Sequence, residues 1–310
     1  MNRSMPRKTY LILNLLILLA SLLALLVYSW WKRSLQIYNA GEVLSSSETR
    51  SYLLYVPDSY DPQTPAPLVI SIHGYAGWPA HQAHTSRWNE LAEKEGFLVV
   101  YPSGTDFPKR WRTTGLPSTS GTSEMDVLFI SDLINQLEAN YNIDPDRIYA
   151  NGLSNGGGMS YLLACQMSER IAAVGGVAGA YTYPVKQCSP SRPVPFIAFH
   201  GDADPVVPYF GGPSRSFDIP FPSVPDWMEA WAERNQCTQK TSIPQEEEVF
   251  GVHYEDCSQN AEVIFYTIQG GGHTWPGGNP LPAWLVGTTS QTVSATELMW
   301  DFFEEHPLPR

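Results

Sequence analysis

The chain has 310 residues, 43% of them hydrophobic and 16% charged, a composition that excludes a disordered chain and fits a packed protein. Its formal charge is −12 at pH 7, and without a basic stripe it is not built to hold a nucleic acid. No period of about 20–50 residues recurs, so a repeat array is excluded as well, and one large α/β domain suits the length.

Residues 9–31, TYLILNLLILLASLLALLVYSWW, contain no charged side chain. A run of roughly 20 apolar residues matches the hydrocarbon thickness of a bilayer, so a membrane-directed helix is expected here. Arg3, Arg7 and Lys8 precede it and Lys32 and Arg33 follow, which keeps the amino terminus cytoplasmic and exports the rest. The run is longer than a usual signal peptide, which favours a retained anchor; small residues at Val27 and Ser29 leave cleavage and secretion as the alternative. Residues 1–33 hold five basic and no acidic side chains, so −12 less 5 leaves −17 for residues 34–310.

Residues 34–50, which include GEVLSSSETR, are polar and serine-rich and are expected to be a short stalk. The catalytic domain is expected over 51–310. It opens with short β-rich runs, SYLLYVP and PLVISIHG, the second apolar throughout, as suits a strand buried on both faces. TSRWNELAEKEG predicts a helix closed by Gly96, and FLVVYP the next strand. From Ser123 a helical stripe of Leu128, Leu133, Ile134, Leu137 and Tyr141 follows, with Asp126 placed to cap its start. RIYANG predicts a strand and GGGMSYLLACQMSER a helix. Strands at AAVGGVAG, VPFIAFHG and AEVIFYTIQGGG alternate with helices at PDWMEAWAERNQ and SATELMWDFFEE. This alternation predicts a mostly parallel sheet with helices on both faces.

The exported part holds Cys165, Cys188, Cys237 and Cys257, in a compartment where disulfides persist. The preferred pair is Cys237 with Cys257, bracketing an acidic excursion, and Cys165 with Cys188 is the second. None has CxxC spacing, so no metal site is expected.

Ser154 lies in IYANGLSNGGG between Gly152 and Gly156. A GxSxG pattern alone is weak, but a strand before it and a helix after it are what an α/β-hydrolase nucleophile elbow requires. A serine hydroxyl is scarcely ionised at neutral pH and needs a base, which a carboxylate must orient. Of the histidines downstream, His306 is in the tail, His253 is in the excursion, and His200 ends a strand, where it supports a turn. His273, in QGGGHTWPGG after an apolar strand, is the best base. The acid lies in FHGDADPVVPY, where Asp202 and Asp204 compete. The oxyanion donors expected from this fold are the backbone N–H groups of Tyr75, in ISIHGYAG, and Asn155, after the nucleophile. Trp111 and Trp275 are candidate stacking faces for an aromatic or sugar-decorated substrate, with Trp78 and Trp284 near the same motifs.

Taken together, ISIHGYAG, ANGLSNGGGMSYLLAC, FHGDADPVVPY and GGGHTWPGG resemble the polyhydroxybutyrate depolymerase family and its related feruloyl or acetylxylan esterases. The likeness runs from about residue 48 to 305 in unbroken order. It implies an α/β-hydrolase fold, no cofactor, and ester hydrolysis through an acyl-enzyme, with Ser154 as nucleophile, Asp204 as acid and His273 as base. Two features depart from that family: a cysteine often stands where this chain has Tyr75, and the usual precursor has a cleavable signal. Rival expectations are a serine peptidase of the same fold and a catalytically silent binding module. An intact Ser, Asp and His speaks against the second, and the lack of a propeller or lid extension against the first.

Overall fold

The computed structural model describes residue 14 and residues 17–22, 39–113, 121–214, 217 and 219–309. Most of the apolar run 9–31 lies outside the described residues; residues 17–22 of it are helical. Among the described residues no helix is long and apolar enough to cross a membrane. Gly41–Arg310 form one compact unit, and Met1–Ala40 a second.

The larger unit is built on a ten-stranded sheet in the order β1-β2-β4-β3-β5-β6-β7-β12-β11-β10. Its strands are β1 (Asn39–Ser45), β2 (Glu48–Tyr55), β3 (Ala66–Ile72), β4 (Leu98–Pro102), β5 (Ile143–Leu153), β6 (Val174–Val177), β7 (Phe196–Gly201), β10 (Gln239–Glu246), β11 (Val249–Glu255) and β12 (Val263–Ile268). Two further strands, β8 (Gly212–Pro213) and β9 (Pro220–Phe221), make a small separate ribbon. The six central strands from β4 to β12 run parallel. β2 joins one side and β11 and β10 the other, all antiparallel to their inner neighbours. The helices are α1 (Pro79–Ser86), α2 (Trp88–Glu95), α3 (Ser123–Asn140), α4 (Asn155–Gln166), α5 (Val224–Arg234), α6 (Ala283–Val286) and α7 (Ala295–Glu305). β3, β4, β6 and β7 are buried at every position, which explains why they spell nearly unbroken apolar runs.

Two expectations about the frame need correction. The run expected as a stalk forms most of the β1–β2 hairpin, so the compact unit starts at Gly41 and not at Ser51. Ser46 and Ser47 turn the chain with φ of 50° and 64°, the backbone a two-residue hairpin needs but one usually supplied by Asn or Gly. The single helix expected over Thr85–Gly96 is two, because Arg87 takes a left-handed φ of 59° and ends α1 as it starts α2.

Both cysteine pairs are disulfides, Cys165 with Cys188 and Cys237 with Cys257. The second brackets the β10–β11 hairpin, and its excursion carries His253, which pairs with Glu262 through Nε2 at 2.8 Å.

The parallel strands bring four loops to one edge. β3 hands the chain to β4 on one side, whereas β5, its other neighbour, hands it to β6 on the opposite side. Between them lies the crevice where open α/β sheets hold their ligands. The loops after β3 and β5 meet in it, and those after β7 and β12 lie further along the same edge.

Candidate active site

Ser154 is the single residue between the end of β5 and the start of α4, with φ 57° and ψ −118°. An L side chain rarely adopts this backbone, and it persists only where surroundings impose it. Here they do: Ser154 N donates to Val177 O at 2.9 Å, and Ser154 O accepts from Gly158 N and Ala180 N at 3.0 Å each. The flanking glycines serve the same turn. A Cβ on Gly152 would lie 2.4 Å from the carbonyl carbon of Gly156, and one on Gly156 would lie 2.1 Å from Ile72 O. Strand and helix therefore approach backbone to backbone, and the serine is left at the top of the turn.

The oxyanion candidates sit beside it. A Cβ on Gly74 would be 3.3 Å from Ser154 Cβ, so the turn after β3 passes next to the nucleophile candidate. That turn is pinned by Gly77 N to Gly74 O at 3.0 Å and Ala76 N to Lys109 O at 2.7 Å. His73, fully buried, reinforces it: Nε2 accepts from Gly104 N at 2.9 Å, so Nδ1 carries the proton and donates to Gly74 O at 2.7 Å. Gly74 O and Tyr75 N–H belong to one planar peptide, so fixing the carbonyl also aims the N–H. Burial holds His73 down at about 4 against the pull of its hydrogen bond to Gly74.

Asn155 does more than supply a backbone N–H. Its side chain, buried, accepts from Trp111 N at 2.7 Å and donates to Trp111 O at 3.2 Å and to Thr113 Oγ1 at 2.9 Å. Trp111 in turn donates its indole N–H to His73 O at 3.0 Å. The elbow and the turn after β3 are thus braced through one shared segment.

Asp204 follows β7 and His273 follows β12, and the two meet: His273 Nδ1 lies 2.7 Å from Asp204 Oδ2. Asp204 Oδ1 accepts from the backbone N–H groups of Val206 at 2.7 Å and Val207 at 2.9 Å. Burial acts to raise this carboxyl, but the neighbouring His273 and His200 outweigh it and hold it well below the ordinary carboxylate range. Asp202 faces elsewhere, accepting from Gly270 N at 2.6 Å. Of the two candidates for the acid, only Asp204 reaches the base candidate. The backbone of His273 is held as well, its amide N–H donating to Val286 O at 2.6 Å.

The expected substrate faces need correction. Trp111 and Trp275 are 0% and 1% exposed. Trp111 lies nearly parallel to Phe129 with ring centroids 6.3 Å apart, and Trp275 gives its indole N–H to Thr296 Oγ1 at 2.9 Å. Both are packing groups whose polar edge is satisfied inside the protein. Among the described residues, the exposed tryptophan and phenylalanine rings are Trp78, on the turn after β3, Phe107, Phe210 and Trp284 on α6. Asp126 is no cap either: it is fully buried, accepting from Arg50 Nη1 at 2.9 Å and Arg112 N at 2.7 Å, and α3 has no side-chain cap.

Residues 50–187 match the family described as Esterase PHB depolymerase. Feruloyl esterase B of Piromyces equi is 29% identical over 84% of this chain, which spans 46% of that protein's length. Feruloyl esterase C of Emericella nidulans is 29% identical over 82% of this chain and 83% of its own. Among solved structures, the acetyl xylan esterase from Aspergillus awamori superposes with a TM-score of 0.56 at 17% identity, covering 76% of this chain and 94% of that one; at that identity it speaks for the fold alone.

Proposed function

Since this chain belongs to the esterase family of polyhydroxybutyrate depolymerases and feruloyl or acetylxylan esterases, we propose that it hydrolyses carboxylic esters through an acyl-enzyme on Ser154. The observation that carries the proposal is the buried hydrogen bond between Asp204 and His273 on the sheet edge that also bears Ser154.

In the proposed reaction His273 takes the proton of Ser154 Oγ through Nε2, the nitrogen not engaged by Asp204. The alkoxide adds to the ester carbonyl, and the oxyanion is received by the backbone N–H groups of Tyr75 and Asn155. Asp204 stays ionised and steadies the imidazolium, which then protonates the departing alcohol. Water enters, gives its proton to His273 and releases the acid by the same route in reverse. No metal or cofactor takes part.

The substrates favoured are polyhydroxyalkanoate-type polyesters and feruloyl or acetyl esters of glycans, with the exposed rings of Trp78 and Trp284 as contact faces in place of Trp111 and Trp275. An extracytoplasmic location, with residues 9–31 as the membrane anchor, goes with the two disulfides, which an oxidising compartment preserves.

Labelling with a fluorophosphonate probe tests the proposal. The folded wild type is expected to be modified at Ser154 and Ser154→Ala to be silent; an unlabelled wild type would sink it. Hydrolysis of p-nitrophenyl esters of rising chain length, methyl ferulate and an amorphous polyester film then separates the substrate classes.

A further inference from the structure

His200 is the penultimate residue of β7 and is buried, with Nε2 2.9 Å from Val207 O and 3.4 Å from Asp204 Oδ2. Its other nitrogen, Nδ1, is buried without a hydrogen-bond partner. Both acceptors therefore face Nε2, which must carry the proton, and the Nδ1 lone pair is left without a donor.

This places one N–H between two parts of the acid's housing. Val207 O belongs to the residue whose own N–H donates to Asp204 Oδ1, and Asp204 Oδ2 is the oxygen that meets His273 Nδ1. Without His200, Oδ1 would keep its two backbone donors and Oδ2 would be held by His273 alone. The carboxylate could then rotate about its last bond whenever His273 moved. We infer that His200 is a positioning residue for the proposed hydrolysis, its Nε2–H holding the Asp204 carboxylate in the orientation that presents Oδ2 to His273. The inference rests on the assignment of Asp204 and His273 given above.

The titratable neighbours do not compete for this role. Asp202 is engaged by Gly270 N at 2.6 Å, and Tyr209, whose ring lies 6.0 Å from that of His200, bonds through its hydroxyl to Thr267 Oγ1 at 2.7 Å. His273 is the other imidazole on the carboxylate, and it approaches from the loop after β12.

The test is a kinetic comparison of the full chain with His200→Phe, His200→Gln and Asp204→Asn on a small soluble ester, p-nitrophenyl acetate, across pH. His200→Phe keeps a buried ring but has no donor, and kcat is expected to fall by about 10²-fold with KM within about twofold, the usual scale for a misplaced catalytic group. The acid limb of kcat/KM is expected to move to lower pH, because a swinging carboxylate stabilises the His273 imidazolium less. His200→Gln, whose amide can again donate to Oδ2, should recover most of kcat and the wild-type limb. A purely structural His200 would instead lower the unfolding temperature and leave kcat and the pH profile of the folded enzyme unchanged, and that result overturns the inference. If His200→Phe does not fold, nitrogen chemical shifts of His200 in the wild type decide: the Nε2–H tautomer is required, and an Nδ1–H tautomer overturns the inference. Asp204→Asn separates the two levels, with an expected loss of about 10⁴-fold. Near-normal activity there would refute the acid assignment itself, whereas a dead Asp204→Asn beside a normal His200→Phe would refute only the role of His200.

Discussion

Asn155 and Trp111 are joined by two hydrogen bonds, backbone N–H to Oδ1 at 2.7 Å and Nδ2 to backbone O at 3.2 Å, so the side chain of one imitates a strand partner for the other. The residue after Ser154 is thereby tied to a segment 44 positions away in the chain. Asn155→Ala keeps the backbone N–H assigned to the oxyanion but strands the buried polar groups of Trp111. A stability loss of about 1–3 kcal/mol is expected from that alone. Urea unfolding measures it, and a kcat that falls in the folded protein would show that the brace also serves catalysis; unchanged stability would contradict the pairing.

His73 predicts how stability depends on acid. Its ordinary value is 6.5 and burial holds it at about 4 in the folded protein. The unfolded chain thus binds a proton first, so the stabilising difference is complete above pH 6.5 and is lost as pH falls toward 4. The amount is at most about 3 kcal/mol. Thermal unfolding of the wild type should weaken over that interval, and His73→Gln should flatten the dependence; parallel curves for the two would remove His73 as its cause.

The backbone at Ser154 predicts a stability ordering of two variants that lack the hydroxyl. Ser154→Ala retains the strained φ with a side chain attached, whereas Ser154→Gly can occupy it freely. Relief of such strain amounts to about 1–3 kcal/mol, less about 1 kcal/mol for glycine's extra freedom when unfolded. Ser154→Gly is therefore expected to unfold at or above the temperature of Ser154→Ala. The reverse order would mean the turn is not strained.

The tryptophans should divide by exposure. Trp78→Ala is expected to raise KM for methyl ferulate or slow hydrolysis of a polyester film severalfold, with little change in unfolding temperature, because its ring is 53% exposed. Trp275→Ala should instead destabilise by about 3–5 kcal/mol, as deletion of a buried aromatic does. Equal effects of the two on KM would undo the distinction.

Asp126 offers a further check on burial against capping. Loss of a cap costs about 1 kcal/mol, whereas removing one partner of a buried ion pair costs about 3–5 kcal/mol. Asp126→Ala leaves Arg50 and Arg112 facing each other across a gap, so denaturant unfolding is expected to show the larger loss.

What could be foreseen from residues alone was whatever local sequence dictates. The turn at Ser154, the apolar strands and the order of the loops that carry Asp204 and His273 follow from glycine turns and from runs of side chains buried on both faces. The β1–β2 hairpin was hidden because two serines hold a turn normally made by asparagine or glycine. β10 was hidden because it is an edge strand with almost every residue exposed and Pro244 within it, so it carries no alternating apolar signal. The roles of Asp126, the Asn155 side chain and His73 each depend on a partner remote in the chain, as far as 76 residues away for Asp126 and Arg50. Nothing in the neighbouring sequence marks such partners. Trp111 and Trp275 misled because proximity to a motif in sequence says nothing about which way a ring faces.

The close approach of Gly152 and Gly156 to neighbouring backbone has a consequence for divergence. Neither glycine touches a reacting atom in the proposed chemistry; each is there because a methyl group would collide with the carbonyl of Ile72 or the peptide of Gly156. A descendant that lost Ser154 and became a silent scaffold would still need both, so the two glycines would outlive the activity and record the architecture from which it came.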